Sequence, residues 1–66
     1  MKVVIMGVDE NVLMEEETSV RFPLVGDTVI IDGNAYEVVK RAWSYNPDKL
    51  EDGLVCIAVF QGKIDT

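Results

Sequence analysis

Carboxylates are the most abundant reactive side chains in this 66-residue chain, and they gather in two places. Asp9 and Glu10 precede the run Glu15-Glu16-Glu17. Such a cluster could bind a metal, supply half of an acid/base pair, face a basic partner or mimic the phosphates of nucleic acid. On a strand, successive side chains point to opposite faces, so Glu15 and Glu17 would share a surface that Glu16 does not. Solvated charge that keeps an exposed strand from pairing with strangers is the commonest use of such a run. A patch for a basic partner comes next, and a metal site is the least expected.

The second group, Asp48, Glu51 and Asp52, lies in a polar stretch, residues 46–53, that ends in Gly53. A calcium loop of the EF-hand kind needs oxygen ligands at its first, third and fifth positions, and counting from Asp48 puts Leu50 third, so the match fails. Cys56 is the single cysteine and the chain has no histidine, which removes both a disulfide within the chain and a Cys/His zinc site. With no base to activate it, and with Val55 and Ile57 beside it, Cys56 reads as an inert core thiol. No Ser-His-Asp arrangement or phosphate-cradling glycine loop is present, so we expect no enzyme activity and no cofactor.

Cationic and aromatic side chains concentrate only at Lys40, Arg41, Trp43 and Tyr45. Alternation would place Val39, Arg41, Trp43 and Tyr45 on one face and Val38, Lys40, Ala42 and Ser44 on the other. The first face could stack bases or grip a proline-rich peptide. The plainer expectation is that Trp43 and Tyr45 fill a small core while Lys40 and Arg41 are solvated or paired to the glutamates.

The elements that must position these residues are strands. Residues 23–45 organise the chain, because Asp32-Gly33 separates two apolar runs and Asp-Gly is a strong signal for a type I′ hairpin turn. A two-residue loop sets Ile31 across from Asn34 and Val29 across from Tyr36, so that Val29, Ile31, Tyr36 and Val38 form the core face; a three-residue loop would shift the pairing by one and send Ile30 inward instead. Gly26-Asp27 predicts a further turn, and a bulge is expected near Lys40-Arg41. Residues 2–8 and 54–60 are apolar on both faces, which suits either central strands or edges completed by another chain. Residues 12–22 carry mixed signals, Leu, Met and Glu favouring helix and the later residues strand. We expect a strand paired with the first, bulged near the glutamates. Residues 61–66 read as a frayed tail.

The pattern Val25-Gly26-Asp27, Val29, Ile31-Asp32-Gly33, Tyr36, Val38-Val39 and then Trp43 resembles small SH3-like β-barrel domains, of the short kind that bacteria and their phages encode. That resemblance implies an architecture and no chemistry, since such barrels serve peptide binding, nucleic-acid binding and scaffolding alike. The expected fold is therefore a single all-β domain over residues 1–66, a five-stranded antiparallel bent sheet or SH3-like barrel.

Composition narrows the function. The apolar share, 48%, suits a globular chain, and no stretch approaches the roughly 20 apolar residues of a membrane span, so the expected location is the cytoplasm. Twelve acids against six bases give a net charge of −6, which opposes binding to nucleic acid or to an anionic membrane. The leading expectation is a protein-interaction module or inhibitor, plausibly encoded by a phage or mobile element. It would present Asp9, Glu10, Glu15, Glu16 and Glu17 to a basic protein partner. The alternatives are a peptide- or nucleic-acid-binding module using Lys40, Arg41, Trp43 and Tyr45, or a self-assembling subunit, with a homodimer through residues 2–8 or 54–60.

Overall fold

The computed structural model describes residues 1–17, 21–46 and 51–64. Among them, five strands form one sheet: β1 (Lys2–Gly7), β2 (Val12–Glu17), β3 (Thr28–Ile31), β4 (Asn34–Asn46) and β5 (Glu51–Lys63). Their order across the sheet is β2-β1-β5-β4-β3. The all-β expectation holds, with two corrections. The sheet is mixed, because β1 runs parallel to β5, and its outermost strands β2 and β3 are not joined into a barrel.

Each hairpin follows from local chemistry. Asp32 and Gly33 take φ values of 51° and 78°, the left-handed pair that a type I′ turn demands. Val29 accordingly faces Tyr36 and Ile31 faces Asn34, as the two-residue loop requires. Gly26, at φ 97°, occupies the third position of the turn closed by the Asp27 N–H donating to the Leu24 carbonyl at 2.9 Å. The segment with mixed signals is strand over Val12–Glu17, paired antiparallel with β1. Its irregularity lies opposite Ile5 and Met6, ahead of the glutamates, so the expected bulge beside them is displaced toward the turn.

The two apolar runs without a polar face become the middle of the sheet, side by side. Val3 stands next to Leu54 and Ile5 next to Cys56. Val3, Ile5, Val38, Leu54, Cys56 and Ala58 make the buried core on one face, with Met14, Phe22, Val29, Ile31 and Tyr36 packed against them. At about 25 cal/mol per Å² of apolar area, burial of these side chains is the main force holding so small a chain together. The opposite face carries Val4, Met6, Val55, Ile57 and Val59, which remain partly exposed. Because residues 53–58 of β5 are paired on both sides, neither central strand offers a free edge there.

β4 and β5 are each 13 residues long, longer than the sequence suggested at both ends. Glu51–Gly53 belong to β5, where a polar loop was expected, and 47–50, with Asp48, fall outside the described residues. Residues 61–63 also continue β5, and the Ile64 N–H donates to the Gly33 carbonyl at 2.7 Å, so this part of the expected tail is ordered; 65–66 fall outside the described residues. At about 3.3 Å per residue such a ladder spans about 43 Å, and the molecule's longest dimension is 43 Å.

Candidate functional site

A bulge in β4 decides what the cationic and aromatic residues can do together. The register slips between Val38 and Lys40, leaving Val39 as the extra residue, close to where a bulge was expected. Beyond the slip Arg41 stands opposite Cys56, Trp43 opposite Leu54 and Tyr45 opposite Asp52. Directly opposed residues share a face, so Arg41, Trp43 and Tyr45 join Val38 on the core side. Simple alternation had put Val38 on the other face; one inserted residue reverses the parity. Lys40, opposite Ile57, is on the outer face and is separated from the other three.

The core narrows before it reaches this end of β4. Trp43 is 45% exposed and Tyr45 73% exposed, which corrects the expectation that both fill the core. Phe22 meets Trp43 edge to face, with ring centroids 6.3 Å apart and planes inclined at 60°. The Arg41 guanidinium carbon lies 5.6 Å from the Trp43 ring centroid. The Arg41 Nε–H is buried with no hydrogen-bond partner among the described residues. A cation and two aromatic rings therefore stand together at one end of the core face, part covered and part open, with the exposed Tyr45 further along the same face.

Along the same end the backbone edge of β4 is unpaired among the described residues. β3 pairs only with residues 34–37, and the last bonds on that side are Gly26 N–H to the Val38 carbonyl and Val38 N–H to the Asp27 carbonyl. From residue 39 to 46 no strand lies beside this edge among the described residues.

The carboxylates do not gather into one site. Glu15 opposes Val4 and Glu17 opposes Lys2 on the outer face, while Glu16 opposes Val3 on the core face, as strand geometry requires. Glu15 lies 3.5 Å from the Lys2 ammonium, and Glu17 lies 2.7 Å from the Met1 amino group. Asp9 is used locally, accepting from the Asn11 N–H at 3.2 Å and from its Nδ2 at 2.7 Å. Asp9 and Glu10 sit in the turn at the far end of β2 from Glu17. No group of three or more His, Cys, Asp or Glu side chains among the described residues could hold a metal.

Two features went unseen in the sequence. One is Phe22, whose pairing with Trp43 depends on a chain path between β2 and β3 that no local pattern encodes. The other is a cavity of about 600 Å³ on the core face, lined among others by Val3, Ile5, Met14, Glu16, Arg21 and Val29. Cys56 is fully buried; desolvation pushes its thiol pKa up, partly opposed by the Arg41 charge. A neutral, covered thiol is a poor nucleophile. Among the described residues no helix is long and apolar enough to cross a membrane. Comparison with family models, curated proteins and solved structures finds no match.

Proposed function

We propose that this chain is a non-enzymatic protein-interaction module that docks an extended polypeptide segment against Arg41, Trp43 and Tyr45. The observation that carries this reading is the exposure of Trp43 and Tyr45 on the face they share with Arg41. An aromatic ring left half open in so small a domain gives up burial that would have stabilised the fold. Trp, Tyr and Arg are also the side chains that concentrate binding energy at protein interfaces. The open β4 edge beside them supplies backbone donors and acceptors for an added strand, and such aromatic surfaces also suit the polyproline conformation. A net charge of −6 disfavours nucleic acid as the ligand of this face.

The test is a titration of Trp43 fluorescence with a panel of synthetic peptides, acidic, neutral and proline-rich, repeated on Trp43→Ala by calorimetry. Binding that shifts the emission and is lost in Trp43→Ala, with the fold retained, supports the reading. A panel that leaves the emission unmoved overturns it.

A second reading, an acidic surface for a basic partner, is favoured by the placement of Glu15, Glu16 and Glu17 along the outermost strand. It is weakened by the use of Glu15 and Glu17 in ion pairs and of Asp9 within its own turn.

A further inference from the structure

Among the described residues the sheet ends in two edges without a neighbouring strand, of opposite character. At one side stands β2 with Glu15, Glu16 and Glu17; on the other, beyond the reach of β3, stand residues 39–46 of β4 with Lys40 and Arg41. Open edges invite strand addition, and the charges on each decide what can be added.

Strand direction makes the two edges compatible. β2 is antiparallel to β1, β1 is parallel to β5, and β5 is antiparallel to β4, so β2 and β4 point the same way. A second copy that continues the sheet brings its β2 alongside β4 in parallel. Face parity agrees as well. Glu16 and Arg41 are both on the core face, opposite Val3 and Cys56, while Glu15 and Lys40 are both on the outer face, opposite Val4 and Ile57. A register that sets Glu15 beside Lys40 therefore sets Glu16 beside Arg41. Slipping it two residues either way loses at least one of the pairs. Glu16 then offers a carboxylate to the guanidinium of Arg41, a side chain that is partly exposed.

We propose that β2 of one copy adds to the residue 39–46 edge of β4 in the next, a head-to-tail association held by the Glu15–Lys40 and Glu16–Arg41 pairs. It rests on the reading of the Arg41 and Trp43 surface as a docking surface and names its partner, a second copy of this chain. Like edges do not self-pair, because β2 against β2 opposes three carboxylates on each side. The contact is thus heterologous, and it closes into a ring or stays open according to the rotation per copy.

The experiment is sedimentation velocity and light scattering across a concentration series to about 1 mM, on the wild type and on charge-reversed variants. Lys40→Glu sets a carboxylate against Glu15 of the incoming strand, and Glu15→Lys sets an ammonium against Lys40 from the other side. Each alone should be monomeric where the wild type associates, and an equimolar mixture of the two should restore the larger mass, since each supplies the edge the other lacks. Arg41→Glu and Glu16→Arg form a second pair with the same expectation, and circular dichroism checks that each variant is folded. A wild type that stays monomeric throughout overturns the proposal, as does an oligomer that survives both reversals. Monomers whose Trp43 emission still responds to peptides defeat the edge pairing alone, whereas monomers with unresponsive Trp43 defeat the docking face too.

Discussion

Arg41 lies over the face of Trp43, its guanidinium carbon 5.6 Å from the ring centroid, and Phe22 closes the ring from the side. The cation–π contact contributes about 0.5–1 kcal/mol, and the open part of the indole contributes nothing to folding. Trp43→Ala should therefore cost about 1–2 kcal/mol, below the roughly 3–5 kcal/mol of a fully buried aromatic. Urea denaturation of the two proteins measures it. A loss that leaves no folded protein would place Trp43 in the core and remove the proposed docking surface.

Leu54 behaves differently, although it stands directly opposite Trp43 in the sheet. It is completely buried among Val3, Ile5 and Cys56. Leu54→Ala should destabilise by about 2–5 kcal/mol, enough to unfold much of so small a domain. The thermal midpoint by circular dichroism reports it.

Gly33 sits at φ 78°, a conformation costing an L side chain about 1–2 kcal/mol. Beyond its two chain neighbours, no atom of the described residues lies within 4 Å of where a Cβ would be, so Gly33→Ala meets no clash there. Its whole expected penalty, about 1 kcal/mol, is conformational, and Gly33→Asn should recover part of it because Asn tolerates the left-handed region. Equal stability of all three proteins would contradict the assigned turn.

Desolvation holds the Cys56 thiol protonated above its ordinary pKa of 9.0, with Arg41 pulling weakly the other way. The unfolded chain releases this proton first, so the thiol's contribution to stability is complete below pH 9.0 and falls as pH rises through the folded-state value. Denaturation curves of the wild type should lose stability above that pH more steeply than those of Cys56→Ala. Iodoacetamide should label Cys56 only after denaturant is added, and prompt labelling of the native protein would contradict its burial.

The ion pair of Glu15 with Lys2 is exposed on both sides, with side chains 52% and 55% accessible. Such pairs contribute at most about 1 kcal/mol, so Glu15→Gln should change the unfolding free energy by less than about 0.5 kcal/mol. A larger change would mean that the β2 carboxylates stabilise the fold itself, which would weaken their assignment to an interface.

Local chemistry made much of this fold legible in the sequence. Asp32-Gly33 specified a turn, a two-residue loop at that turn set Val29 across from Tyr36, and strand periodicity separated Glu16 from Glu15 and Glu17. These are short-range effects, set by φ preferences and by the two-residue period of a strand. A bulge near Lys40 was also foreseeable from the length of the strand, but its placement at Val39 was not, and that single residue moved Val38 to the face of Arg41.

Tertiary structure decided the rest. Whether β1 joins β5 in parallel or antiparallel fashion depends on how the chain returns between β2 and β3, and strands that are apolar on both faces accept either direction. Exposure of Trp43 and its contact with Phe22 likewise depend on where the core ends and on a residue 21 positions away. Strands, turns and the alternation of side chains within an uninterrupted run were already specified in the sequence, because those follow from neighbours along the chain. Only the folded sheet decided which strands became edges and where the aromatic rings stayed open, because those follow from contacts between segments that the sequence does not place side by side.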